Sequence, residues 1–221
     1  MCGNESLLDI GCGPGLLAIG FAPFVKSCTG LDPEAAMITA ANAAAAKAGV
    51  AISLIQGRIE EFPTTRTYDV ITIGRALHWL ERDTALPVLK EITARGSGCI
   101  VICVASSLAT PQTAWVTPYD EARRRWASEP DESRYRTNAK QWFKDSRFQE
   151  IGDVAVTEWH EVTPADLIGR ALSKSNTSPE VVGEGQQRFA SEITAALKPF
   201  AGDGVLREQI EARASILGLI P

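Results

Sequence analysis

A glycine turn flanked by two carboxylates holds the richest chemistry in this chain. Asp9 closes an apolar run, Gly11, Gly13 and Gly15 follow at alternate positions, and Asp32 comes seventeen residues after Gly15. Glycines so spaced leave bare backbone at the start of the helix opening at Leu16, where a ligand can approach the main chain closely. Gly11, Cys12 and Gly13 would floor such a site, with Asp9 beside it. A carboxylate placed as Asp32 is, with Pro33 directly after it, suits the two hydroxyls of a ribose. Capping the following helix is its plainer use, and the two are compatible. Turn and acid together predict a nucleotide-like ligand.

Spacing narrows the choice. A dinucleotide fold places its third glycine one residue later than Gly15, and Leu16 stands where that glycine would pack helix against strand. No Lys-Ser/Thr pair follows, which excludes a phosphate-cradling P-loop. Further candidates lie on later loops. Gly57 to Glu60 falls where an adenine ring would meet the carboxyl edge of a sheet, with the Arg58 and Ile59 side chains flanking it; an ordinary connection is the other reading. Met37 could pack on the opposite ring face or simply fill core. Gly74 ends an apolar run and counts among the cofactor-binding candidates. Ala76-Leu77-His78-Trp79 follows, at the switch point where ligands sit in such sheets. His78 is a candidate donor to an acidic substrate or a general base, and Trp79 a pocket wall, although a histidine near a helix start often serves only a local hydrogen bond. His160 reads as structural, and Trp115, Trp126 and Trp142 as packing groups.

These residues need elements to hold them, and the chain alternates strand and helix accordingly. Leu7 to Ile10, Ser27 to Leu31, Ala51 to Gln56, Tyr68 to Gly74 and Cys99 to Ala105 read as strands. Between them run a helix ended by Pro23, an alanine-rich helix to about Ala48 with Pro33 in its first turn and Asp32 as cap, and a helix capped by Asp83 with Pro87 near its first turn. The pattern predicts a doubly wound parallel α/β sheet. Past Ser106, Thr117-Pro118, Thr163-Pro164 and Ser178-Pro179 each place a capping hydroxyl before a proline and predict helix starts. The last leads a helix through Phe189, Ile193, Leu197 and Phe200. A short helix over Ala139 to Lys144 and a strand-rich stretch from Phe148 to Val162 fall between. Residues 205–216 fit both periods, and eleven residues of alternation favour a strand. One domain is expected, with 1–105 as cofactor-binding core and 106–221 as lid helices and C-terminal strands.

The chain has 221 residues, 45% hydrophobic and 22% charged, enough for a folded core. Its net charge of −5 and lack of a basic stripe argue against nucleic acid as a partner. Arg123-Arg124-Arg125 reads as a solvated helix face. Cys2, Cys12, Cys28, Cys99 and Cys103 form no C-x-x-C pair and predict reduced thiols, with Cys99 and Cys103 in the core. No apolar run is long enough for a bilayer, and no basic leader precedes one. A cytoplasmic protein without membrane partner, monomeric or weakly dimeric, is the expectation.

The run Asp9-Ile10-Gly11-Cys12-Gly13-Pro14-Gly15 resembles the first motif of class I S-adenosylmethionine-dependent methyltransferases. Gly30-Leu31-Asp32-Pro33, Gly57-Arg58-Ile59-Glu60-Glu61-Phe62-Pro63 and Tyr68-Asp69-Val70-Ile71-Thr72 extend the resemblance, from about Leu7 to Ala105, to the type 11 and type 25 domain group. Ala76-Leu77-His78-Trp79 and Trp142-Phe143 are more loosely similar to the trans-aconitate methyltransferase-like branch. The resemblance implies a Rossmann-like sheet of seven strands in the order 3-2-1-4-5-7-6, the last antiparallel, with a helical lid inserted after strand 5. It also implies S-adenosylmethionine as cofactor, with Gly11 and Gly13 against its methionine moiety, Asp32 on its ribose, and Arg58 and Ile59 beside its adenine. Such a cofactor carries a sulfonium and an ammonium but no phosphate, so an acid at the strand end attracts it and would repel a pyrophosphate. Two departures stand out. Many relatives carry an acid where Arg58 stands. Relatives also carry a helical segment before the first strand, whereas this chain starts almost on the strand, which implies a truncated frame or a weakened enzyme.

The implied reaction is an in-line displacement that methylates a small molecule, a carboxylate or hydroxyl oxygen being favoured. In it the protein mainly positions and desolvates the nucleophile. His78 is the candidate base for a hydroxyl or amine acceptor. No cysteine and histidine cluster supports a metal. The alternatives are a nicotinamide-dependent oxidoreductase, disfavoured by Leu16 and by the lack of a Tyr-x-x-x-Lys pair, and a non-catalytic methyltransferase-like binding module.

Overall fold

Central parallel strands must be apolar on both faces, and Leu7 to Ile10 and Val70 to Ile73 are buried without interruption. In the computed structural model, which describes residues 3–128 and 139–220 and so leaves Cys2 outside the described residues, these two segments lie side by side. Strand β1 (Ser6–Ile10) pairs in parallel with β2 (Ser27–Asp32) and β4 (Val70–Gly74); β2 pairs with β3 (Ser53–Gln56), and β4 with β5 (Cys99–Ser107). With β6 (Phe148–Val162) and β7 (Leu206–Leu219) they form a seven-stranded sheet ordered β3-β2-β1-β4-β5-β7-β6. The Ile220 amide donates to the Arg147 carbonyl at 2.9 Å, joining the end of β7 to the start of β6, so these two run antiparallel and the sheet is mixed. The strand order and the strand reading of residues 205–216 are both borne out.

The chain divides into two compact units. One comprises residues 3–104, 139–154 and 213–220. It holds α1 (Leu16–Phe21), α2 (Ala35–Ala48), α3 (Arg82–Ile92) and α5 (Ala139–Trp142) around a core that includes Leu8, Ile71, Leu89, Ile100 and Leu217. Gly49 ends α2 with φ 68, as expected of a glycine stop. Helix α2 starts at Ala35, after Pro33, because Asp32 spends one oxygen on the Glu34 amide ahead of the first turn. Glu81, not Asp83, precedes α3; Asp83 lies in its first turn and Pro87 inside the helix. Trp142 belongs here and not with the later helices: it packs in the same core as Phe143 and Phe148, and its carbonyl accepts from Arg82 Nε at 2.6 Å.

The other unit comprises residues 105–128 and 155–212, with α4 (Val116–Arg124), α6 (Pro164–Leu172), α7 (Pro179–Val182) and α8 (Gln186–Leu197). Its core gathers Trp115, Tyr119, Leu167, Phe189, Ile193, Leu197 and Leu206. Of the three expected helix starts, Thr163-Pro164 forms a full capping box with Asp166. Thr117 and Pro118 fall within the first turn of α4, which begins at Val116. Ser178-Pro179 opens only the short α7, because Gly183, at φ 59, breaks the chain before α8. Arg123 is no solvated residue: it is 8% exposed and pairs with Asp120 at 3.4 Å. Among the described residues no helix is long and apolar enough to cross a membrane.

Candidate functional site

The site begins where β1 runs out. Gly11 takes φ 65, and a Cβ there would stand 2.4 Å from the Ala76 Cβ, so no other residue fits. Gly13 takes φ 52 with nothing within 4 Å of where its Cβ would be, so the turn presents a bare face to open space.

The amides of this turn are all spent within the chain. Gly11 N and Cys12 N donate to the Leu31 carbonyl at 2.8 and 3.1 Å, and Gly15 N donates to the Cys12 carbonyl at 2.9 Å. Gly13 N donates to Asp32 Oδ2 at 2.8 Å, and Pro14 has no N–H. Asp32, 7% exposed, also accepts from Glu34 N at 2.9 Å through Oδ1. Each carboxylate oxygen keeps a second acceptor direction. The ends of β1 and β2 are thereby bolted together with the acid on the glycine turn.

Asp9 sits inside the sheet, 1% exposed, accepting from Thr72 Oγ1 at 2.8 Å and from Ala18 N at 3.2 Å. Burial pushes its carboxyl up to about 6, with Asp32 adding to the rise and the Thr72 and Ala18 bonds only partly offsetting it. At neutral pH it is largely ionised, so the first turn of α1 already carries a carboxylate. Thr72 is a residue of this candidate site that the sequence reading missed. A lone hydroxyl in the run Val70-Ile71-Thr72-Ile73 was the signal, and the register sets it opposite Asp9.

The other candidates divide. The Cys12 thiol is buried and pushed up to about 12 by burial, with Asp9 and Asp32 adding to the rise; its sulfur lies against Gly30, so Cys12 offers the turn its backbone. Gly74 serves close packing, since a Cβ there would stand 2.6 Å from Leu17 Cδ1. Ile59 does not flank a ligand with its side chain: it is 3% exposed and packs in the core with Leu31 and Phe62, because the short 3₁₀ turn Ile59–Glu61 directs it inward. Arg58, ahead of that turn, lies 3.5 Å from Glu60. Pro33 and Met37 are exposed at the start of the α2 segment. His78 and Trp79 share the 3₁₀ turn Leu77–Trp79 with ring centroids 4.9 Å apart, and Trp79 is 47% exposed. His160, on β6, lies 3.7 Å from Glu158. Bonds and close contacts thus join Asp9, Thr72, Gly11, Cys12, Gly13 and Asp32 with Ala76 into one constellation.

Residues 7–95 match the family model described as a methyltransferase domain. The uncharacterized methyltransferase YcgJ of Bacillus subtilis is 36% identical over 77 residues, 34% of this chain and 30% of that protein. Its crystal structure superposes with a TM-score of 0.57 at 19% identity, covering 99% of this chain and 93% of the other. The ubiquinone biosynthesis O-methyltransferase of Rickettsia conorii is 32% identical over 96 residues, 42% of this chain and 33% of that protein. The sequence match spans about a third of the length of these curated relatives. The fold also matches the [4+2]-cyclase SpnF, with a TM-score of 0.53 at 14% identity over 97% of this chain and 76% of that one. Residues 7–95 are thus similar to a methyltransferase domain, and the seven-stranded order around them is a fold shared with these solved structures.

Proposed function

We propose that this protein transfers a methyl group from S-adenosylmethionine to an oxygen of a small-molecule acceptor. The observation that carries the reading is the state of the glycine turn. Every amide it has is used internally, and Asp9 already accepts from the Ala18 amide in the first turn of the helix behind it. A pyrophosphate would find the amides of the turn itself already taken and two carboxylates nearby; a nucleoside bearing cationic sulfur and nitrogen meets the charge it needs.

In this reading the remaining acceptor directions of Asp32 take the ribose hydroxyls, and the open face at Gly13 receives the amino-acid portion. Met37 and the backbone at Arg58 and Ile59 border the base. When bound, S-adenosylmethionine supplies a methyl group already activated by its sulfonium. The chain's own part is to hold, orient and dry the reacting atoms, with His78 accepting a proton where the acceptor is a hydroxyl.

Calorimetry with S-adenosylhomocysteine and with NAD tests the reading. S-adenosylhomocysteine is expected to bind and NAD to give no heat. Asp32→Asn, which keeps an acceptor for Gly13, is expected to weaken binding roughly tenfold or more, the worth of a charged hydrogen-bond pair. Tighter binding of NAD would overturn the proposal. A mass-spectrometric screen of small acids and alcohols then identifies the acceptor.

A further inference from the structure

Arg75 follows the last residue of β4 with φ 56, a left-handed conformation that side chains bearing a Cβ rarely adopt. Such a conformation persists only where the surroundings fix it, and here they do. Arg75 N donates to the Cys103 carbonyl at 3.1 Å, and the buried Ala76 after it fills the space a side chain on Gly11 would need. The kink therefore sets Arg75 at the carboxyl edge of a central strand, next to the residue that abuts the glycine turn.

Its side chain is exposed and makes no ion pair or hydrogen bond with any described residue. Neighbouring cations differ: Arg58 pairs with Glu60, and Arg82 donates to the Trp142 carbonyl. In a chain of net charge −5, an unengaged guanidinium on a strained backbone has no structural use that the fold reveals. Glycine would hold this conformation at less cost, so the arginine is there for its side chain.

We infer that Arg75 binds a carboxylate of the bound ligand and so determines specificity, an inference that rests on the reading of the turn as an S-adenosylmethionine site. A guanidinium fork matches a carboxylate with two parallel hydrogen bonds. Two ligands can bring that group, the amino-acid tail of the cofactor and an acidic acceptor, and binding experiments separate them.

The variants are Arg75→Gln, Arg75→Lys and Arg75→Gly. Arg75→Gly relieves the backbone and is expected to melt no lower than the unchanged protein, so lost binding cannot be laid to lost folding. Calorimetry compares S-adenosylhomocysteine with 5′-methylthioadenosine, which lacks the amino-acid tail, and then titrates malonate, succinate and citrate into the S-adenosylhomocysteine complex. The expected result is a loss of roughly tenfold or more in Arg75→Gln and Arg75→Gly, with Arg75→Lys between. A loss for S-adenosylhomocysteine but not for 5′-methylthioadenosine assigns the cofactor tail; a loss confined to the added acids assigns the acceptor.

Binding within twofold of the unchanged protein in both series overturns the inference and leaves the cofactor reading standing. A fall in melting temperature for Arg75→Gly also overturns it, since the arginine would then serve the fold. Failure of the unchanged protein to bind S-adenosylhomocysteine removes the cofactor reading and this inference together.

Discussion

Asp9 and Glu208 are both buried carboxylates, one in each compact unit, and the chain holds them in opposite ways. Glu208, on β7, is fully enclosed and meets the Arg170 guanidinium of α6 as a fork, Nη2 to Oε2 at 2.9 Å and Nη1 to Oε1, with the Ser107 hydroxyl also donating. Burial pushes its carboxyl up, but the bonds from Arg170 and Ser107 and the charge of Arg170 outweigh it and hold the group below its usual range. Asp9 has a hydroxyl and an amide but no cation, and burial wins, lifting it to about 6. One unit neutralises its internal charge; the other leaves negative charge unbalanced beside a glycine turn. An uncompensated buried acid costs stability, and under the proposed function its complement would be a cationic ligand.

The most severe way to break the contrast is to take the cation from Glu208. Arg170→Leu strands a buried carboxylate and is expected to cost about 3–5 kcal/mol in urea denaturation. A variant as stable as the parent would show that the fork is worth nothing.

Next in size is a pH effect of opposite sign for the two acids. The folded-state value of Asp9 is raised from 3.8 to about 6, so the folded protein holds a proton that the unfolded chain releases in that interval. Stability tied to Asp9 therefore rises as pH falls from about 6 towards 3.8, by roughly 3 kcal/mol for a shift of about two units. Glu208, held below its usual value, contributes stability that is complete above its unfolded value and is lost as pH falls through the folded one. Melting the parent and Asp9→Asn across this range, and subtracting, isolates the first effect. A difference that stays flat with pH would remove Asp9 from the comparison.

Smaller still, Gly13→Ala meets no neighbour but must keep φ 52, so a stability loss of about 1–2 kcal/mol is expected. The methyl would point into the open face, so S-adenosylhomocysteine binding should fall further than stability does. Calorimetry beside a urea melt reads both. Smallest is Thr163→Ala, which removes the capping box from the helix that carries Arg170. A loss of about 1 kcal/mol, without change in the pH profile, calibrates the larger effects.

Much of the sheet unit was legible because its signals are local. Gly11, Gly13 and Asp32 sit where spacing put them, and continuous apolar runs gave the central strands. The strand order came from the resemblance, since no periodicity encodes which strand neighbours which. What escaped depends on contacts distant in sequence. Trp142 looked like part of the later helices until Phe143 and Phe148 placed it in the sheet core. Arg123 looked solvated because a run of three arginines hides that one faces Asp120 and Asn176. Helical spacing ran past Gly183 because the side chains on either side keep the period while the backbone does not. Within the site, the lone hydroxyl of Thr72 was visible in its apolar strand but its partner, Asp9, lies 63 residues away in sequence, and Arg75 escaped because nothing in an arginine's identity announces its φ.

The bond from Gly13 to Asp32 makes the bend self-supporting. Under the proposed function, a nucleoside would meet a shape that its own arrival does not have to create, leaving little freedom to forfeit on docking. Encounter would then be set by diffusion and by the screened attraction of the nearby negative charge, and added salt should slow arrival of a cationic guest more than it hastens departure.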